Sequence, residues 1–173
     1  MLLVASGLLL NFSHTSSPAN AASPWQVPVE HPVLAREFLQ PSADWSSGHR
    51  GVDYLATFGQ TVFASQAGKV TFSGRVVNRG VVSIAHEGGL STSYEPLCSK
   101  VTQGDLVNAG EVIGTVCAEP GYTSHCGMQT CLHFAMKDSN GYLSPLIKIG
   151  GLSPSRLKPW DGLNCSLPSG VQC

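Results

Sequence analysis

Two short segments of this 173-residue chain carry side chains able to share a metal ion. Gly48-His49-Arg50-Gly51-Val52-Asp53 offers an imidazole and a carboxylate four residues apart, and Cys131-Leu132-His133-Phe134 offers a second imidazole on a strand-like run. Two histidines and a carboxylate are a ligand set of catalytic zinc, which keeps its fourth position for water or substrate. An isolated His-x-x-x-Asp is ordinarily a solvated surface pair. Here both motifs sit among short apolar runs that could bring them together. A fully extended strand would separate His49 and Asp53 by ~13 Å, too far for bonds of about 2 Å to one ion. The chain must therefore bend between them, and Gly51 is the residue type that permits it. A helix would also bring i and i+4 together, but Gly48, Gly51 and the β-branched Val52 disfavour one.

The elements that must position these groups read as strands. Runs rich in Val, Ile, Phe and Thr, separated by Gly and Asn, occupy residues 52–55, 61–64, 68–74, 81–86, 90–95, 111–116 and 132–136. Short strands at regular spacing predict an all-β sandwich or barrel. Asn78-Arg79-Gly80 and Glu87-Gly88-Gly89 are expected hairpin turns, with glycine supplying positive φ. The strands on either side of the second turn should be antiparallel neighbours. Residues 22–48 contain Pro24, Pro28, Pro32 and Pro41, which excludes a long helix and leaves a short turn at residues 33–38.

Residues 1–21 combine an apolar run, Leu2 to Leu10, with a polar stretch ending in Ala19-Asn20-Ala21. The run is shorter than the roughly 20 residues of a membrane-spanning helix, and the ending is a signal-peptide cleavage pattern. The basic n-region is missing, which points to an atypical signal or an upstream start site. The expected organisation is a signal peptide at 1–21, an N-terminal extension at 22–44, one domain at 45–150 and a proline-rich tail at 151–173. The product is expected to be secreted or wall-associated, with no transmembrane segment in the mature chain. A net charge of −1, with 12% charged residues, argues against binding nucleic acid by neutralising phosphates. All six cysteines follow residue 97, and an even count in an exported chain reads as a disulfide framework with 15 possible connectivities. A thiolate zinc site is the competing reading, but no paired C-x-x-C supports it.

The two motifs together resemble the lysostaphin-type peptidoglycan endopeptidases, whose fingerprint is His-x-Gly-x-Asp followed later by His-x-His. The resemblance covers most of residues 45–148 and implies an antiparallel β-sandwich or barrel-sandwich hybrid, with zinc held by His49, Asp53 and His133. It implies a metalloendopeptidase in which zinc activates a water while further histidines assist. Val101 to Gly114 resembles a glycine-punctuated stretch of the same family and of biotinyl or lipoyl carriers. No lysine stands where a carrier presents its cofactor. Tyr142 to Leu146 resembles the family's closing segment. Two assisting positions depart from the pattern. Cys131 replaces the first His of His-x-His, and Pro96 stands where Thr92-Ser93-Tyr94-Glu95-Pro96-Leu97 would carry the other histidine.

Residues 131 and 133 share a strand face, so Cys131 should look toward the metal. Pairing of Cys126 with Cys131 would close a short loop and draw His125 toward the missing imidazole; the alternative is that His125 is an exposed loop residue. Glu95 is a second candidate base. Cys98 with Cys117, and Cys165 with Cys173, are the other expected disulfides. His86 resembles a non-catalytic position and is expected to serve as a structural hydrogen-bonding group, and His31 carries no signal. Two functions fit: a zinc peptidase acting on peptidoglycan, or an inactive zinc- or wall-binding module that regulates a partner hydrolase.

Overall fold

The computed structural model describes residues 24–43, 45–118 and 121–150. Alternation of apolar and polar residues along the strands produces two antiparallel sheets packed on one core. The strands are β1 (Leu34–Arg36), β2 (Gly51–Leu55), β3 (Thr61–Phe63), β4 (Gly68–Val76), β5 (Arg79–Ala85) and β6 (Ser91–Glu95). They continue as β7 (Leu97–Ser99), β8 (Leu106–Val107), β9 (Val112–Val116), β10 (Cys131–Asp138) and β11 (Gly141–Leu143), before one short helix, α1 (Leu146–Ile149). The large sheet runs β1-β2-β10-β6-β5-β4-β8, with β11 on β10, and the small one runs β3-β9-β7. This is the expected all-β antiparallel fold.

Every second residue of the central strands faces inward. Val52 and Tyr54, Leu132 and Phe134, Tyr94, and Val82 and Ile84 meet Val62, Ile113 and Val116 of the small sheet, all buried. Tyr94 and Phe134 stack with ring centroids 5.2 Å apart, worth about 0.5–1.5 kcal/mol beyond burial. The intervening residues Asp53, His133, Glu95, Ser93 and Ala135 lie on the opposite face, which is where the site is built. The polar end of Tyr94 is satisfied inside. Its hydroxyl accepts the Ser65 N–H and lies 2.9 Å from Thr92 Oγ1, which in turn is 2.8 Å from His86 Nε2. His86 Nδ1 donates to the Ala67 carbonyl at 2.9 Å, and Trp25 packs edge-on against its ring.

Two local expectations are corrected. Residues 33–38 contain β1 instead of a helical turn, because the backbone finds an open edge of β2 to pair with. The β4–β5 turn falls at Val77-Asn78, one step earlier than the expected Asn78-Arg79-Gly80, with Val77 at φ 58°. Gly80 is needed for another reason: a Cβ there would collide with the Leu97 carbonyl of β7. Gly88 and Gly89 do adopt positive φ in the next turn, between the antiparallel neighbours β5 and β6. Cys98–Cys117 ties the middle of β7 to the residue just after β9, and Cys126–Cys131 closes the loop before β10. The expected Cys165–Cys173 pair, the signal peptide and the tail lie outside the described residues.

Candidate metal centre

Strand register lines up four side chains on one rung of the large sheet. Arg36 pairs with Asp53, Asp53 with His133, and His133 with Glu95. Directly paired residues share a face of the sheet, so this rung places a carboxylate and an imidazole side by side. His49 precedes β2 and is positioned by reciprocal backbone hydrogen bonds with Leu39. His125 arrives from the loop between β9 and β10, beside the half-cystine that anchors this loop to Cys131.

The four groups converge. His133 Nδ1 is 2.8 Å and His125 Nε2 is 2.9 Å from Asp53 Oδ1, while His49 Nε2 is 3.1 Å from both Asp53 Oδ2 and His133 Nδ1. One potential ligand atom from each lies within 4.8 Å of all the others. Asp53 is fully buried and His49 nearly so, whereas the His125 side chain remains 39% exposed.

The donor set fits a cation. His49 Nδ1 donates to the Glu37 carbonyl at 2.7 Å, so in the neutral ring Nε2 carries a lone pair. That lone pair faces Asp53 Oδ2, a buried oxygen that accepts no hydrogen bond. Two lone-pair atoms 3.1 Å apart repel unless a positive charge sits between them. Burial lowers the pKa of His49, against the opposing effect of the Glu37 carbonyl, and so favours the neutral ring that a metal requires. Burial would raise the Asp53 carboxyl, but hydrogen bonds from His125 and His133 outweigh it and hold the group well below the usual carboxylate range. The same hydrogen bond raises the pKa of His125 against burial. The backbone contact of His49 is the kind of outer partner that orients a metal-bound imidazole.

Gly51 acts differently from its expected role as a bend. It lies within β2, and an added Cβ would meet His133 Cε1 and Nε2 at 2.8 Å and clash with the Phe134 carbonyl. The glycine makes room for the imidazole beside it. Cys131 is on the metal side as expected, with its sulfur 4.0 Å from His125 Nε2. Because Cys126 and Cys131 are joined, neither offers a thiolate, and there are no free cysteines among the described residues. Glu95 lines a cavity together with His49, His125 and His133 and is paired with Arg79 at 2.9 Å. Arg36, Arg79 and the Glu37 carbonyl were not legible as parts of the site. Arg36 and Glu37 lie in a proline-rich stretch without periodicity, and Arg79 was read as part of a turn.

The model of peptidase family M23 matches residues 47–145. The chain is 41% identical over 133 residues to uncharacterized proteins of Mycobacterium bovis (Mb2915) and Mycobacterium tuberculosis (Rv2891), covering 74% of this chain and 51% of each relative. It therefore spans about half the length of those proteins. Among solved structures, a chain in the SpoIIQ–SpoIIIAH pore-forming complex is 25% identical with a TM-score of 0.63, over 75% of this chain and 92% of that one. Lysostaphin is 22% identical with a TM-score of 0.55, over 66% of this chain and 49% of that one. A zinc-containing peptidase from Vibrio cholerae is 23% identical with a TM-score of 0.58, over 70% and 39%. The last two are similar in fold.

Proposed function

The chain belongs to peptidase family M23, and from that premise we propose that it is an exported zinc metalloendopeptidase acting on peptide bonds of cell-wall peptidoglycan. His49, Asp53 and His133 would hold the ion, and His125 would take the assisting role that Cys131 and Pro96 cannot fill. The observation that carries this reading is the position of His125, whose Nε2 reaches the Asp53 carboxylate from a half-exposed ring. Zinc, when bound there, would supply Lewis-acid chemistry, polarising a carbonyl and acidifying a water near neutral pH. With its Nε2–H given to Asp53, His125 would take the proton of the attacking water on Nδ1 and return it to the leaving amine, a contribution typically of 10²–10⁴-fold. Glu95 is held beside the cavity by Arg79 and has the secondary part of orienting that water. Paired cysteines support an oxidising compartment, hence secretion or association with the wall.

The test is digestion of purified bacterial cell walls by the zinc-loaded chain, with released fragments identified by mass spectrometry. New peptide termini that disappear on chelation and return with zinc are expected. A fully zinc-loaded chain that releases nothing overturns the enzymatic reading. The second reading is then an inactive wall-binding or regulatory module. It is supported by the two departures at Cys131 and Pro96, and by the similarity to a chain found in a complex with another protein.

A further inference from the structure

Next to the rung that carries the metal ligands lies a rung of small side chains. Gly51 pairs with Ala135, Ala135 with Ser93, Ser93 with Ser83, and Ser83 with Phe72. With nothing large on Ala135, Ser93 and Ser83, the outer face of the sheet is hollowed into a trough running across the strands. The hollow ends at Phe72 and Val76. A second cavity, of about 410 Å³, contains His49, His125 and His133. The two share Ser93, Glu95, Ala135 and Tyr142, so they form one continuous channel leading to the metal centre.

The metal end of this channel is rimmed by Arg36, Arg50 and Arg79, and among the described residues Glu95 is the acidic side chain lining it. Glu95 is taken by Arg79. Arg36 stands on the Asp53 rung and pairs with no carboxylate among the described residues. The Arg50 guanidinium is held in place at the other side, donating to the Ser46 carbonyl at 3.3 Å and lying 5.9 Å over the Tyr142 ring. A divalent ion on Asp53 would add to this positive field. A chain with a net charge of −1 thus concentrates three of its ten cationic side chains at one mouth. Guanidinium groups match the planar geometry of carboxylates.

We propose that Arg36 and Arg50 form a carboxylate-recognition subsite beside the metal centre, and that the channel floored by Ala135, Ser93 and Ser83 selects extended peptides bearing a free carboxylate close to the bond to be cut. This deepens the peptidase reading and rests on it. The small-residue floor admits a peptide backbone laid across the strands, and the arginines choose among such peptides by charge.

The experiment uses two synthetic peptidoglycan stem peptides, identical except that the carboxylates of one are amidated. Each is titrated into the zinc-loaded chain carrying His125→Ala, which keeps turnover from consuming the ligand, with affinity read by calorimetry. Hydrolysis by the wild type is followed separately. The free-carboxylate peptide should bind about tenfold more tightly, the scale of one charge-assisted hydrogen bond. That preference should vanish in Arg36→Gln and shrink in Arg50→Gln. Loss of a packing role would weaken both peptides alike and leave the ratio intact. Equal affinity for the two peptides, no binding of either, or a preference that survives both substitutions overturns the subsite. A preference that holds while the wild type cuts neither peptide supports the subsite and tells against the peptidase reading alone.

Discussion

His125 Nε2 sits 2.9 Å from Asp53 Oδ1 although 72 residues separate them in the chain. Nothing in the β-sheet register brings His125 there. It comes from the loop before β10, anchored at the neighbouring residue by the Cys126–Cys131 bridge, and it enters where His49 and His133 already converge. An imidazole delivered by a loop thus stands where Cys131, on the strand itself, has none to offer.

The metal centre makes the first prediction. Purified chain should contain about one zinc, and His49→Ala, Asp53→Ala and His133→Ala should each lose it on dialysis, because two remaining protein ligands are too few to retain the ion. Elemental analysis of folded protein, with circular dichroism as the control for the fold, decides this. Retention of stoichiometric zinc by Asp53→Ala would contradict the ligand assignment.

Loop geometry makes the second. His125→Ala should lower turnover on wall fragments by roughly 10²-fold or more, the scale of general acid–base assistance, while zinc content stays unchanged. The double change Cys126→Ser with Cys131→Ser should also slow turnover, because it frees the loop that carries His125. Elemental analysis beside each rate separates loss of metal from loss of assistance. An active His125→Ala variant would move the assisting role to Glu95.

The fold and the convergence of Asp53 with His133 were legible because they depend on patterns that sequence displays directly. Alternation along residues 52–55 and 132–136 puts Val52, Tyr54, Leu132 and Phe134 inward and Asp53 and His133 outward. The parts that escaped depend on long-range approach. Arg36 joins the site through pairing of β1 with β2, in a segment whose short exposed strand leaves no burial pattern to read. The glycines mislead for the same reason. Gly51 and Gly80 look like bending residues, yet each is needed because a neighbour from a distant segment, His133 or Leu97, occupies the space of a Cβ.

Gly51 therefore supports a third prediction. Gly51→Ala should weaken zinc binding by at least tenfold, in the range seen when groups supporting a metal ligand are disturbed, because the new methyl group pushes on the His133 ring and the Phe134 carbonyl together. Overpacking of this kind also costs about 1–3 kcal/mol of stability. Competition with a chelating dye measures the affinity, and thermal melting the stability. Unchanged zinc affinity in a folded Gly51→Ala protein would show that the ring does not need this space.

The buried chain His86–Thr92–Tyr94 makes the last prediction, independent of the metal. Burial lowers the His86 pKa below its ordinary value of 6.5, with the Ala67 carbonyl opposing the shift. The folded state therefore binds fewer protons at this position than the unfolded one as the pH falls. By linkage, the stabilisation from a depressed pKa is fully present above the unfolded value and is lost as pH drops through 6.5 toward the folded value. Other groups also contribute to the acid dependence of stability, so the quantity to measure is a difference. Melting temperatures of wild type and His86→Gln, followed from pH 8 to pH 5 in the presence of chelator, should diverge at the alkaline end and draw together as acid is added. The glutamine cannot gain a charge, so its profile lacks this component. Parallel curves across the whole range would mean that His86 keeps an ordinary pKa in the folded protein, and that the Thr92 and Ala67 contacts tolerate the imidazolium as readily as the neutral ring.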